Sequence, residues 1–216
     1  MSWLNELEIN EMLNNVGADK VSSSSYEVVS GVYTVAIKEA YLKKTDSGAT
    51  MFHLNLEDDN GLKLNYSTCI KSGDAKGNKS TYQNQKGETK LLPGVISVKH
   101  LFESVKLDMM KEVPSNEKIK VKKQDGEEVI SVGLFKTMTN KKFTACVRQY
   151  EDMYNNEIKI KYDIENFLDV NGNNKDGESQ IEAFLAKIEK NPIKKLKGSN
   201  TPKPTVNTEA SITENW

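Results

Sequence analysis

The 216-residue sequence predicts a mainly β protein with flanking helices, an α+β arrangement in which the strands close into a small barrel. Three observations favour this class. Apolar and polar residues alternate in about six or seven segments, as is typical of half-buried strands. Turn residues join the first three segments directly. A long polar loop and a helix separate those three segments from the rest.

The chain divides into three regions. Residues 1–25 are predicted to form a helical extension and linker, because apolar residues recur there with a helical period before a run of serines. Residues 26–196 hold the strands and two further helices, and we expect them to fold as one domain. Residues 197–216 are rich in proline and small polar residues, which predicts a disordered tail. The apolar residues of the N-terminal helix are Ile9, Met12, Leu13 and Val16.

The first three strands are predicted to form two consecutive hairpins with one face toward the core. The second hairpin turn falls at 58–61, where the sequence DDNG supplies turn-forming residues. Alternate positions of the third strand are polar or basic, and we expect them to face solvent. The residues predicted to face the core are Tyr33, Val35, Ile37, Phe52, Leu54, Leu56, Leu62, Leu64 and Tyr66, and the outward set of the third strand is Lys63, Asn65, Ser67 and Lys71.

Beyond the third strand, loop, helix and strand signals follow one another. Residues 71–90 are rich in glycine and lysine and have no apolar periodicity, which predicts a long polar loop. Two later segments, 95–106 and 177–190, show the period of amphipathic helices. The remaining strands are predicted at 118–122, 129–135, 142–150 and 157–164.

Basic residues are concentrated in the middle of the chain, although the formal net charge is only -1. Residues 1–60 carry 4 basic and 10 acidic groups, residues 61–148 carry 17 and 9, and residues 149–216 carry 9 and 12. A basic segment between acidic flanks indicates a polyanionic partner, since neutralisation of phosphates by Lys and Arg supplies most of the non-specific affinity for nucleic acid. A solvated charged surface is the alternative interpretation.

The central segment holds two ingredients of single-strand recognition, lysines for phosphates and a flat side chain for base stacking. Tyr82 is the one large aromatic residue of the loop at 71–90, and lysines surround it. Lysines at every second position from 118 to 122 form a one-sided stripe on a strand. For Tyr33 and Tyr66, which share strand faces with aliphatic residues, core packing is favoured over base stacking. The candidate nucleic-acid-binding residues are Lys63, Lys71, Lys76, Lys79, Tyr82, Lys86, Lys90, Lys118, Lys120, Lys122 and Arg148.

The order of these elements fits an oligonucleotide-binding (OB) barrel best, and a two-sheet sandwich is the alternative that strand alternation leaves open. Within residues 30–170 the chain also resembles the single-stranded DNA-binding proteins of tailed bacteriophages. The matching features begin with the Gly-x-Tyr opening of the first strand at 31–33, a lysine-rich turn and two hairpin strands. They continue with a glycine- and lysine-rich loop whose Tyr82 precedes a Leu-Pro-Gly at 92–94.

The resemblance implies a non-catalytic protein that binds single-stranded DNA and protects and organises it in phage DNA replication, recombination or repair. It implies a place in the cytoplasm of the infected bacterial host. It also implies contacts with phage replication or recombination proteins through the C-terminal tail, where Trp216 supplies an aromatic ring beside a carboxylate. Related proteins end in a dense acidic run, whereas this tail offers only Glu209 and Glu214. A recombination mediator or annealing protein and a virion structural protein are the alternatives.

Catalytic and metal-binding motifs have little support. The only histidines are His53 and His100, and the sequence has no GxSxG, HExxH, GxxxxGK[ST] or Rossmann glycine pattern. The series at 169–178 approaches a calcium loop but lacks its central glycine and its final bidentate carboxylate, so a polar turn is favoured. Cys69 and Cys146 are expected to be reduced, and no apolar run is long enough for a membrane helix. We therefore predict no catalytic residue, metal site or cofactor.

Overall fold

A computed structural model of the protein describes residues 28–123, 126–155 and 157–195, and its mainly β architecture with two α-helices confirms the predicted class. The N-terminal extension, the tail from residue 197 and Trp216 lie outside the described residues. Among the residues described, no helix is both long enough and apolar enough to cross a membrane. The strands are β1 (Gly31–Lys44), β2 (Thr50–Asp58), β3 (Lys63–Lys71), β4 (Thr81–Gln83), β5 (Thr89–Leu91), β6 (Ser115–Lys123), β7 (Gly126–Leu134), β8 (Lys142–Tyr154), β9 (Glu157–Leu168) and β10 (Ile193–Lys194), and the helices are α1 (Pro93–Ser104) and α2 (Ile181–Lys190).

Strand β1 organises the main sheet because it pairs with three other strands. From Val35 onward it lies beside β2, which pairs in turn with β3, so these three strands form the predicted meander. On its other edge, the first half of β1 pairs with β8, and Tyr41 and Leu42 pair with β7. Strand β9 extends the sheet beyond β8, β6 lies beyond β7, and the short β10 runs parallel to the end of β8.

The edge strands β3 and β9 approach each other across a seam. No backbone ladder closes this seam in the part of the chain that the structure describes. Instead, the backbone N–H of Asn65 in β3 donates a hydrogen bond of 2.8 Å to the hydroxyl oxygen of Tyr162 in β9. Helix α1 packs against both strands. The sheet therefore curls far enough to bring its edges together without closing into a barrel.

The main core lies between the inner faces of β1, β2, β3, β8 and β9 and helix α1. All the residues predicted to face the core from the first three strands are buried in it or packed against it, including Tyr33 and Tyr66. Aromatic rings bridge the layers: Phe102 of α1 meets Phe135 at 5.4 Å between centroids, and Tyr66 meets Phe167 at 5.3 Å. Tyr33 and Tyr66 are partly buried and pack against the core, as the alternation of β1 and β3 predicts.

Helix α1 begins two residues earlier than predicted, at Pro93. Proline is favoured at the first helical position, where its missing N–H costs no hydrogen bond. The buried face of the helix includes Val98, Leu101 and Phe102, in the predicted period. A Cβ added at Gly94 would overlap the carbonyl oxygen of Cys69, so glycine allows the start of the helix to rest on the end of β3.

One type of five-residue turn recurs through the fold. The N–H of its first residue donates to the carbonyl of the fifth, and the side-chain oxygen of the first residue accepts from the N–H of the fifth. The fourth residue is always a glycine, with φ between +77° and +83°, a left-handed conformation that glycine adopts without strain. The five turns are Thr45–Ala49, Asp58–Leu62, Asn84–Glu88, Asp169–Asn173 and Asn174–Glu178.

This turn accounts for two differences from the sequence predictions and for one agreement with them. The segment predicted as a long polar loop contains regular structure, because the turn Asn84–Glu88 joins β4 and β5 into a short hairpin. The hairpin is polar, so its sequence has no apolar periodicity that would predict strands. Helix α2 begins at Ile181 instead of residue 177, since Gly177 belongs to the last turn. The carboxylate of Asp169 caps backbone N–H groups, in agreement with the favoured polar turn.

The hairpin β6–β7, here called the flap, folds over the outer face of β1. Ile119 of β6 and Val132 of β7 bury the ring of Tyr41, which lies on the side of β1 away from the main core. Only Tyr41 and Leu42 of β1 are paired with β7 by backbone hydrogen bonds. The flap is therefore attached to the sheet along one short line and by a small apolar cluster.

Candidate nucleic-acid interface

The long loop packs onto the β1–β2 turn and creates a groove of about 850 Å³, here called the loop groove. The backbone N–H of Asp74 donates to the carbonyl of Ser47 at 2.9 Å, which ties the two segments together. Gly73 permits this approach, because a Cβ there would overlap the same carbonyl oxygen. Lys76, Lys79 and Tyr82 line the groove, so the structure brings together three of the predicted binding residues.

Tyr82 presents a partly open ring to solvent beside a lysine. It lies on β4 directly across from Lys90 on β5, and 42% of its surface is exposed. Lys90 forms an ion pair of 3.2 Å with Glu88, whereas Lys86 lies in the turn between the two strands and is exposed. An exposed ring on a hairpin is accessible to a flat, unpaired base.

The lysines that line the loop groove are not ion-paired within the part of the chain that the structure describes. No Asp or Glu lines the groove, and neither Lys76 nor Lys79 forms an ion pair with a described residue. The same holds, within the described ranges, for Lys71 at the end of β3 and for Lys86. Many lysines elsewhere on the surface do have carboxylate partners; these include Lys99, Lys111, Lys136, Lys142, Lys161, Lys175, Lys187 and Lys195. The ammonium groups of Lys76 and Lys79 are thus not engaged by a carboxylate of a described residue, and Asp74 lies in the same short helix as Lys76.

A second groove, of about 520 Å³, lies between the flap and the outer faces of β1, β2 and β3, and we call it the flap groove. Lys63 of β3 and Lys120 of the flap line it together with Lys38, which sequence reasoning did not single out. Two carboxylates also line it, Glu39 and Glu57. Lys38 falls in a register shift between β1 and β2 and forms an ion pair of 3.1 Å with Glu57, a position that becomes visible only once the strand register is known.

The outward side chains of β3 connect the two grooves. Lys63 and Asn65 line the flap groove, and Cys69 lines the loop groove. Cys69 follows Lys63 by six positions along the extended strand, so the two residues are about 20 Å apart. Beside this line, the ring of His53 on β2 stacks on Tyr41 with centroids 5.0 Å apart and an angle of 19°. Burial lowers the pKa of His53, and the nearby Lys43 lowers it further.

The predicted stripe on β6 is present as far as the structure describes its side chains. Lys118 and Lys120 are exposed and alternate with the buried Ile119. Lys122 continues the strand, but its side chain lies outside the described part. These residues are on the flap, so they are separate from the lysines of the long loop.

Arg148 lies apart from both grooves. Its side chain is buried: one guanidinium nitrogen donates 2.9 Å to the carbonyl of Asn191, and another lies 3.5 Å from Glu165. These contacts hold the end of α2 against β8. Arg148 therefore has a structural role that the sequence did not indicate, and we leave it out of the interface.

The β8–β9 hairpin carries a further aromatic and basic pair that sequence reasoning missed. Tyr154 is 56% exposed near the end of β8, and the ammonium of Lys159 lies 4.9 Å from the centre of its ring. The sequence signal for this pair was a tyrosine and a lysine on either side of two consecutive asparagines. Tyr82 and Lys90 are likewise neighbours across a hairpin, but there the lysine is ion-paired with Glu88.

Within the described ranges, His100 lines a further groove of about 560 Å³ together with the carboxylates of Glu103, Glu165, Asp169 and Asp176. No set of three or more His, Cys, Asp or Glu residues there is arranged to hold a metal ion. Cys69 and Cys146 are unpaired thiols in strands. Burial raises the pKa of Cys146 to about 11, with a further contribution from Glu165, so this thiol stays protonated at neutral pH.

Fold and grooves together define a mainly β domain with lysine-lined grooves on the outer face of its first three strands. Comparison with protein-family models and with curated proteins finds no match to this chain. The resemblance to phage single-stranded DNA-binding proteins therefore stays a prediction.

Proposed function

We propose that this protein binds single-stranded DNA without catalysing a reaction, and that it protects and organises single strands during phage DNA replication, recombination or repair. The observation that carries the proposal is the loop groove, where Lys76 and Lys79 form no ion pair with a described residue and Tyr82 offers an exposed ring. Lysines bind phosphates regardless of sequence, and each base stacked on an aromatic ring contributes about 1–3 kcal/mol. The ring accepts only an unpaired base, which favours single strands over duplex.

The strand order supports the proposal through an OB-like architecture. A three-stranded meander is followed by a helix at the seam and then by the β8–β9 hairpin, which is the order of an OB barrel. In this interpretation β3 and β9 are the strands whose pairing would close the barrel, and Tyr162 and α1 bridge them instead. The flap is then an insertion between the helix and β8. The outer face of β2 and β3, where such barrels bind oligonucleotides, lines the flap groove, and Cys69 near the end of β3 lines the loop groove.

The setting of the proposed function is the cytoplasm of an infected bacterial cell. Its partners beyond DNA would be phage replication or recombination proteins, bound through the C-terminal residues that include Trp216. Both points depend on the resemblance described above.

A fluorescence-anisotropy titration tests the proposal. Labelled single-stranded and duplex oligonucleotides of the same sequence are titrated with the full chain at low and high salt. We expect single strands to bind more tightly than duplex and their affinity to fall steeply with salt, because lysine–phosphate contacts release counterions. Equal affinity for duplex, or an affinity that does not change with salt, would contradict the proposal.

A further inference from the structure

Residues 157–161 of strand β9, here called the β9 edge, form an exposed strand edge. They pair with β8 on one side, and no strand in the described part of the chain pairs with their other side. The seam contact with β3 comes later in the strand, at Tyr162. All five residues of the β9 edge are exposed. Backbone N–H and C=O groups on a free strand edge are a ready template for pairing with another strand.

An apolar face runs along the β9 edge. Ile158 and Ile160 lie on the same face of β9 as the buried Ile164, because alternate residues of a strand point the same way. They extend beyond the main core, and 46% and 41% of their surfaces are exposed. Met153, directly across from Ile158 on β8, is also exposed. A free edge with an exposed apolar face is suited to a partner strand that covers both.

The order of charges along the β9 edge favours a second copy of the same strand as that partner. In an antiparallel pairing centred on residue 159, Glu157 of each copy lies opposite Lys161 of the other, and Ile158 lies opposite Ile160. Pairs of opposite charge and pairs of apolar side chains stabilise an antiparallel ladder when they lie directly across from each other. Lys161 meets Asp152 at 2.5 Å on the β8 side, so in the pair its ammonium lies between two carboxylates.

Lys159 makes the like-charged contact of this register, since it lies opposite itself. Its ammonium is 4.9 Å from the centre of the ring of Tyr154, which belongs to β8. The side chain of Lys159 is therefore drawn across its own hairpin and away from the free edge. This position reduces the repulsion between the two copies, whereas the attraction between residues 157 and 161 occurs twice.

We propose that two copies of the protein pair through their β9 edges, antiparallel about a two-fold axis at Lys159, and continue the main sheet from one copy into the other. Such a contact is isologous, because the same residues serve on both sides. The proposal goes beyond DNA binding: none of the described residues that line the loop groove belongs to the β8–β9 hairpin. The β9 edge is short, so we expect a weak dimer whose population depends on protein concentration.

Sedimentation velocity of the full chain over a series of concentrations tests the proposal. We expect the wild type to show a monomer–dimer equilibrium. E157K and K161E should each weaken dimerisation by about tenfold or more, since the two-fold axis converts one substitution into two like-charged pairs. The matched control is E189K, which reverses an exposed charge on α2 and should dimerise as the wild type does.

An equimolar mixture of E157K and K161E separates a lost contact from a misfolded hairpin. In the mixed dimer, one pair consists of the two reversed charges and the other of two native charges, so both pairs are again opposite in sign. Dimers should therefore return in the mixture. A wild type that stays monomeric at every concentration, or a mixture that dimerises no more than its components, would overturn the proposal. Failure to bind single-stranded DNA in the separate anisotropy titration would instead refute the proposed function and leave the dimer intact.

Discussion

Lysines of the basic central segment differ in whether a carboxylate lies beside them. The sequence places Lys76, Lys79 and Lys90 in one loop, but only the folded hairpin shows that Lys90 is paired with Glu88 while the other two have no ion pair with a described residue. Glu88 precedes Lys90 by two positions, and side chains two positions apart share one face only where the backbone is extended, so the pair depends on the strand conformation. The burial of Arg148 was unpredictable because its partners Glu165 and Asn191 belong to other elements.

The double variant K76A/K79A should weaken single-stranded DNA binding and reduce its salt slope by about 1.4, at about 0.7 per phosphate contact. Its free energy of unfolding should change by less than about 0.5 kcal/mol, since both side chains are exposed and unpaired with described residues. The matched control is K111A/K175A, which removes two exposed lysines whose partners are Asp108 and Asp176 and which lie outside both grooves. A large loss of stability with unaltered DNA affinity would show that the loop lysines are structural.

His53 should make stability depend on pH. Its pKa in the folded protein is lowered, chiefly by burial. Below the ordinary histidine pKa of about 6.5, the unfolded chain takes up a proton that the folded protein resists. The free energy of unfolding therefore falls as pH drops below that value, and this contribution is absent from H53N.

Urea unfolding of the wild type and H53N measured between about pH 7 and about pH 5.5, a range that spans the ordinary histidine pKa, checks this expectation. The wild type should lose more stability than H53N, because other groups titrate alike in both proteins. Parallel losses would mean that the burial of His53 does not disfavour its protonated ring.

The elements of the fold were predictable where their pattern is local and apolar. Strands β1 to β3 and helix α1 have alternating or helical periods that correspond to one buried face, and every core residue predicted from the strands lies in or against the core. The buried Ala40 was missed, because the register shift between Ile37 and Glu39 changes which positions of β1 face inward. The hairpin β4–β5 and the two-residue β10 have no such face, because polar turns and neighbouring strands define them. The position of the flap over Tyr41 depends on which face of β1 is left uncovered, and that is a property of the assembled sheet.

Gly94→Ala should destabilise the protein, although alanine is normally favoured over glycine inside a helix by about 0.5–1 kcal/mol. The added Cβ would overlap the backbone oxygen of Cys69, and a clash with backbone cannot be relieved by a rotamer change. We expect a loss of about 1–3 kcal/mol, the usual cost of overpacking.

Gly61→Ala is the comparison for this effect. A Cβ at Gly61 meets no atom within 4 Å, but φ is +83°, so the expected loss of about 1–2 kcal/mol comes from backbone strain alone. Chemical denaturation measures both variants. A stabilised Gly94→Ala protein would mean that α1 does not rest on the end of β3 as described.

At the scale of the whole molecule, the basic segment at 61–148 is distributed over separate surfaces. Its lysines appear in the loop groove, in the flap groove and on the outer side of the flap, while Arg148 is buried. The distribution of charge along the sequence predicted a basic surface. It did not predict that the lysines are divided between separate grooves. Closure of the sheet was also beyond prediction, because alternation is the same in an open and a closed sheet.

Photocrosslinking tests the central claim that a single strand lies in the loop groove with a base on Tyr82. An iodouracil-substituted oligonucleotide is bound to the full chain, irradiated and digested, and the crosslinked peptides are identified by mass spectrometry. We expect crosslinks within residues 71–90, with Tyr82 as the main site. Unlabelled single strands should compete these crosslinks away, whereas duplex should not. Crosslinks confined to peptides outside this segment, or equal competition by duplex, would contradict it.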